Sequence, residues 1–498
     1  MSRVNRACHG YVQGLYCATS KGSVTILGYT GHGGAVTIPN SINGRPVTGI
    51  GLNAFYSCST LTSITIPHSV VSIGEGAFYG CINLDTITVD QGNPRYQSVD
   101  GVLFNKRLTT LIQCPGAKSG HYVIPDRVTS IGRGAFYCCY NLTHITIPSR
   151  VTRIGKYAFF YCDSLVEVSL PESVVKIGAR AFQNCGNLAS ITMSVGITVI
   201  EDYTFAGCGK LLAVVIPDSV AKIGKYAFYT CTSLVRISLG KTLASFGAKA
   251  FEYCSNLLVI VVHSGNSAYS SHNGVLFDKN KTTLFQFPAG KAGHYSIPNG
   301  VTTIASRAFY DCKGLTHIKI PFSVTLIGMI SASIECVGDQ AFCYCGGLME
   351  INVDKKNPSY SSVDGVLFDK NRATLIQCPP GKTGSYSVPH GVKNIRERAF
   401  ECCAGLTGVT LPISIESIRS QAFICCSGLT GLYFNGDAPQ IFRSGFPRQC
   451  SLYRLAGATG WEQPRYHSFV LKLWEDAPVL NKKVKKSHTK RQKMCLEQ

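Results

Sequence analysis

Ile50-Gly51-Leu52-Asn53-Ala54-Phe55-Tyr56-Ser57-Cys58-Ser59-Thr60-Leu61-Thr62-Ser63-Ile64-Thr65-Ile66-Pro67 is the stretch whose reading decides the fold. Its skeleton is Ile-Gly-x-x-Ala-Phe-x-x-Cys-x-x-Leu-x-x-Ile-x-Ile-Pro. The same frame restarts at Ile73, Ile131, Ile154, Ile177, Ile200, Ile223, Phe246, Ile304, Val337, Ile395 and Ile418, most often after 23 residues. Five residues into each unit stands a Phe: Phe55, Phe78, Phe136, Phe159, Phe182, Phe205, Phe228, Phe251, Phe309, Phe342, Phe400 and Phe423. These twelve are half of the chain's 24 Phe, too regular for chance. Leu is equally regular eleven residues in, from Leu61 to Leu429. Self-similarity with a period of roughly 20–50 residues marks a solenoid.

The spacing supplies the physics. Leu61, Ile64 and Ile66 place apolar side chains on one face of a short strand. Pro67 stops that strand by removing a backbone donor. Val70 and Ile73 open a second extended segment, Gly74 permits a turn, and Ala54-Phe55 is expected on a helical or 3-10 turn. One unit cannot bury these groups alone, whereas stacked units bury them in ladders about 4.8 Å apart. The expected fold is a repeat solenoid of twelve units, mainly β with short helical or 3-10 turns.

This skeleton resembles the BspA-type leucine-rich repeat family over roughly residues 20–475. The resemblance implies a leucine-rich-repeat solenoid with a parallel sheet on one side. It also implies a non-enzymatic protein-binding scaffold, a surface adhesin or host/matrix-protein binder, located at the cell surface or secreted.

Three unit-to-unit steps are 58 residues long, each holding 35 extra residues, at about 90–125, 263–298 and 354–389. The inserts are copies of one another, with Asp100-Gly101, Asn273-Gly274 and Asp364-Gly365 between apolar runs. Such dipeptides are strong hairpin signals, so each insert is expected to be a β-hairpin or small meander at the solenoid edge. Gly381-Lys382-Thr383-Gly384 imitates a phosphate loop but lacks its first glycine, the position being Ile376. Ser333 to Gly338 echoes Ser323 to Gly328, and the 327–336 insertion is expected to loop out. The expected organisation is an N-terminal tail and β cap over 1–49, the solenoid over 50–434, a C-terminal cap over 435–478 and a basic disordered tail over 479–498. Trp461 and Trp474 fall in that cap, where a plug over the last unit's core is favoured over an aromatic binding surface.

Charged residues are only 15% of the chain, and net charge is +20. The tail from Asn481 holds seven Lys or Arg against Glu497. This balance supports an alternative reading, a basic solenoid that binds anionic polymers such as glycans or nucleic acid. No recognition motif accompanies the charge, which weighs against nucleic acid. No apolar run reaches the roughly 20 residues of a membrane helix, and no apolar segment follows the N-terminal charges as in a signal peptide.

Twelve of the 23 cysteines occupy one frame position, from Cys58 to Cys426, which argues for small buried core residues. Cys-x-x-Cys is absent, and so many free thiols suit a reducing environment. His144 and His317 share one outward strand position and read as solvated residues. No catalytic residue, cofactor or metal ligand is assigned. Most outward strand residues are small and polar. Ala213, Val215, Val259 and Val261, with Arg236 among them, depart from this and are the expected partner-binding patch.

Overall fold

The computed structural model describes residues 8–328, 341–442, 446–447, 449–462 and 470–474. The chain divides into two compact units, Met1–Asn280 with Pro288–Gly290, and Lys281–Phe287 with Lys291–Gln498. Each is a β-solenoid of stacked parallel coils, and the described residues contain no α-helix. Val337, the echoed segment's core and the tail lie outside the described residues.

One coil of the first unit explains the rest. Leu61–Ile66 forms the longer strand, with Leu61, Ile64 and Ile66 buried. It pairs in parallel with Thr86–Val89, aligning Ile64 with Ile87. Pro67 ends the strand, and the Val70 amide closes a turn onto the Pro67 carbonyl at 3.3 Å. A two-residue strand, Ser72–Ile73, then pairs with Arg45–Ile50 in the preceding coil, aligning Ile50 with Ile73. Like residues therefore sit on like residues, as the period requires.

The third side is a run of turns rather than a helical turn. The amides of Ala54, Tyr56 and Cys58 bond back three residues, to Gly51, Asn53 and Phe55. The alternate amides of Asn53, Phe55 and Ser57 instead donate to Glu75, Ala77 and Tyr79 of the next coil. Half the amides thus serve the neighbouring coil, so no helical ladder can form. The geometry requires positive φ at two frame positions, Asn53 and Ser57 here, Tyr157 and Tyr161 two coils beyond the first insert. Gly74 opens the expected turn, its carbonyl taking the Ala77 amide at 3.3 Å, yet neither it nor Gly155 has positive φ. A Cβ on Gly155 would lie 2.6 Å from the Arg133 nitrogen, so this glycine is needed for close approach of coils.

Inside, the phenylalanines stack in runs, interrupted where the insert coils place Cys114 and Cys378 at the same position. Phe136 and Phe159 are 4.9 Å apart between ring centroids, Phe159 and Phe182 5.0 Å, and Phe205 and Phe228 5.3 Å. In the second unit Phe309 stacks on Phe342 at 5.3 Å and Phe400 on Phe423 at 4.6 Å. Beside each stack runs a thiol ladder. Cys162, Cys185 and Cys231 donate Sγ–H to the carbonyls of Phe136, Phe159 and Phe205, at 3.1 to 3.2 Å. The repeated cysteine thus fills a small volume and also reaches across to the adjacent coil's backbone.

The inserts contain more than hairpins. Tyr96–Val99 and Val102–Asn105 form an antiparallel hairpin about Asp100-Gly101, both at positive φ. The next strand, Thr110–Gln113, pairs antiparallel with the hairpin but parallel with Ser130–Ile131. Each insert therefore also supplies a shortened coil, twenty residues from Leu111 to Ile131, from Leu284 to Ile304 and from Leu375 to Ile395. A buried asparagine anchors each hairpin. Asn266 donates Nδ2–H to the Gly240 and Leu243 carbonyls at 2.9 and 3.0 Å, and its Oδ1 accepts the amides of Ala268 and Tyr269. Asn93 and Asn357 make the same four bonds in their inserts.

Candidate functional site

The longer strands present their outward residues in rows, and five of these residues form the expected patch. Ala213–Val215, Arg236–Leu239 and Val259–Val262 are adjacent strands of one parallel sheet in the first unit. Register aligns Ala213 with Arg236 and Arg236 with Val259 in one row. Val215, Ser238 and Val261 align in the next. The structure thus brings the five together. Ala213 and Arg236 are exposed, Val215 is 68% exposed, and Val259 and Val261 are half-buried. The difference comes from the second insert, whose Gly274 carbonyl takes the Ile260 amide at 3.0 Å, while Ser271 Oγ accepts the Val262 amide. The insert turns at Gly101 and Gly365 take the amides of Ile87 and Ile351 in the same way. Each insert therefore ends a sheet by satisfying its edge strand.

A larger apolar feature adjoins the patch. Val166, Ala189, Leu212, Val235 and Leu258 occupy the residue just after the buried Leu in five successive coils. Their backbones form a ladder: the amides of Ala189, Leu212, Val235 and Leu258 donate to the carbonyls of Val166, Ala189, Leu212 and Val235 at 2.8 to 3.2 Å. Leu212 is 55% exposed, Val166, Val235 and Leu258 are exposed, and Ala189 is half-buried. Part of the stripe, with Ser164, Asn187, Lys210 and Ser233, lines a shallow concavity of about 690 Å³. The signal for this stripe lay in the sequence. Leu and Ile three residues apart both point inward, so both intervening residues face outward, whereas strict alternation counts only one of them.

The other end of this face is polar. His121, His144 and Glu167 align on successive strands. With Thr146, Ser169, Ser190 and Thr192 they line a hollow of about 390 Å³. His121 Nε2 lies 2.8 Å from Thr146 Oγ1. In the second unit His294, His317 and Glu350 repeat the row, the two rings stacked at 4.1 Å. His121 and His294 come from the inserts, outside the repeat frame in which His144 and His317 were found. Among the described residues no group of three His, Cys, Asp or Glu is placed to hold a metal ion.

Two further groups of sequence candidates take different places. Gly408, Thr410, Gly431 and Tyr433 take the outward face of the sheet, as expected, but are buried there rather than open to solvent. The Tyr433 ring covers Gly408 and Gly431, and stacks on Tyr453 at 4.7 Å with Trp474 at 5.4 Å. Trp461 instead packs edge-on against Phe434 in the core. The two tryptophans therefore serve different faces. Burial holds the thiols of Cys162, Cys185 and Cys231 well above the usual range and pushes Cys208 up to about 12. They stay protonated and unreactive at neutral pH. Cys425 is exposed and Cys402 half-buried. Cys114, Cys378 and Phe287 are equivalent, each buried with its amide donating to the next coil's alanine.

The family model for the BspA type leucine rich repeat region matches in six copies over residues 35–115, 123–270, 282–331 and 381–469. No curated protein matches the chain. A leucine rich cell surface protein from Faecalibacterium prausnitzii is similar at 26% identity, over 86% of this chain and 95% of that one, with a TM-score of 0.47. A leucine-rich repeat protein from Bacteroides ovatus is 22% identical over 94% of this chain and 98% of its own, with a TM-score of 0.38. The T. pallidum leucine rich repeat protein is 29% identical over 46% of this chain and 91% of its own, with a TM-score of 0.27. With the repeat model covering most of its length, and the coil geometry that the repeat dictates in place, the chain belongs to the BspA-type leucine rich repeat family.

Proposed function

We propose that the chain is a non-enzymatic protein-binding scaffold, a surface adhesin or host/matrix-protein binder. The observation that carries this reading is the exposed apolar stripe Val166, Ala189, Leu212, Val235 and Leu258, continuous with Ala213 and Val215. Rigid coils hold these side chains at a spacing of about 4.8 Å, so little conformational entropy is lost when a partner covers them. Arg236 adds a cation at the stripe's border, an arrangement common at interface hot spots. The outward residues offer shape and polarity rather than an assembled nucleophile and base.

The test is affinity capture by the full chain from defined panels of surface and extracellular-matrix proteins, compared with Leu212→Glu/Val215→Glu. For a genuine partner, the double variant weakens binding by at least about tenfold. Full retention of every captured partner's affinity rejects this surface as the binding site.

A further inference from the structure

In the first unit, three cations from three successive coils converge on one tyrosine ring. Arg133 Cζ, Lys156 Nζ and Arg180 Cζ lie 5.7, 4.9 and 5.9 Å from the Tyr157 centroid. Arg180 also sits over Tyr203 at 4.0 Å and donates to Gln183 Oε1 at 3.0 Å. Beside them, on the two-residue strands Arg153–Ile154 and Lys176–Ile177, Arg153 and Lys176 are direct neighbours in register. Both are exposed. One carboxylate offsets the group, Glu75, which pairs with Arg133. Arg153, Lys156, Lys176 and Arg180 take part in no ion pair among the described residues. The next coil reverses the charge with Glu201 and Asp202, which gives the patch a border.

Like charges one rung apart, about 4.8 Å, repel one another and do nothing for the fold. A ligand with repeated negative groups relieves that repulsion at several rungs together and releases its own counterions. We propose that this patch is a binding site for an anionic polysaccharide bearing sulfate or carboxylate groups. Arg153 and Lys176 supply the exposed ionic contacts, and Lys156 and Arg180, held by the tyrosine rings, supply a fixed second row. Single-stranded nucleic acid would need open aromatic faces on which bases stack. Here Tyr157 is flanked by cations and meets Phe160 edge-on, Tyr203 stacks on Tyr226 at 4.6 Å, and Tyr137 stacks on Phe160 at 4.9 Å. The rings are committed, and charge is what remains to be read. None of these residues belongs to the apolar stripe, so this site stands apart from the protein-binding surface.

The test measures binding of a size-defined heparin oligosaccharide to the full chain across a salt series, with neutral dextran as the blank and oligo(dT) as competitor. Arg153→Glu/Lys176→Glu is expected to weaken heparin binding by at least about tenfold and to lower the salt slope by about two. The tail variant Lys482→Ala/Lys483→Ala/Lys485→Ala/Lys486→Ala removes the same charge and is expected to change affinity by less than about threefold. Arg153→Gln/Lys176→Gln, which neutralises without reversing charge, should give a smaller loss in the same direction and guards against a folding defect, checked by circular dichroism. Equal losses from the patch and tail variants overturn the site. Oligo(dT) binding as tight as heparin, and equally lost in Arg153→Glu/Lys176→Glu, assigns the patch to nucleic acid and overturns the polysaccharide.

Discussion

Replacing Phe159 by Ala removes one ring from the middle of the stack. Phe159 is fully buried, and its ring is nearly parallel to both neighbours, at 10° to Phe136 and 5° to Phe182. A Phe-to-Ala change in a packed core costs about 3–5 kcal/mol. Two aromatic contacts account for about 1–3 kcal/mol of that. Phe159→Leu keeps most of the volume and should lose mainly the stacking share. In a quasi-one-dimensional array the damage should be local, since each coil touches only its neighbours. Hydrogen exchange read by mass spectrometry resolves this. Amides over 150–190 should exchange faster in Phe159→Ala by about two to four orders of magnitude. Amides over 400–430 should be unchanged. A change below tenfold in the first segment, or an equal rise in both, would refute the ladder as the source of stability.

Two further outcomes follow from the anchors and the thiols. Asn266→Ala deletes four hydrogen bonds from a buried site and leaves two carbonyls and two amides without that partner. At about 1–3 kcal/mol for an unsatisfied buried group, the second hairpin should loosen, seen as new proteolytic cleavage over 263–280. An unchanged digest would count against the anchor role. The ladder thiols give a pH dependence. Burial pushes the thiols of Cys81, Cys208 and Cys426 up to about 12, from about 9 when exposed. Their stabilisation is complete below pH 9 and is lost as pH rises toward 12, because the unfolded chain releases these protons first. Urea midpoints should therefore be flat up to pH 9 and fall steeply above it, and iodoacetamide at pH 8 should label Cys425 well ahead of Cys185 or Cys231. Rapid labelling of Cys185 in the folded chain would contradict its burial.

The repeat frame made much of the core legible. A Phe every 23 residues can be satisfied only by stacking on its copies, so the Phe and Cys ladders follow from the period alone. The Asp-Gly and Asn-Gly pairs located the hairpins, because few other dipeptides accept two consecutive positive φ values. Expectations failed where a neighbouring coil, not the local sequence, set the conformation. Ala54-Phe55 suits a helical turn by propensity, yet the Phe55 amide is taken by Ala77. Gly155 does open a turn, but what requires glycine there is the backbone of the adjacent coil rather than the turn itself.

The candidate surfaces divide in the same way. Sequence by itself determined the coil, its inward residues and the membership of Ala213, Val215, Arg236, Val259 and Val261 in one sheet, because the inward-facing frame residues leave these outside. Only the tertiary structure showed that the second insert bonds along the edge of Val259–Val262, with Gly274 against Val259, that five residues after the buried leucines line up as one apolar ladder, and that Arg133, Lys156 and Arg180 meet at Tyr157. The reason is physical: a period fixes which face a residue takes, whereas exposure and charge clustering depend on what the adjacent coils place beside it.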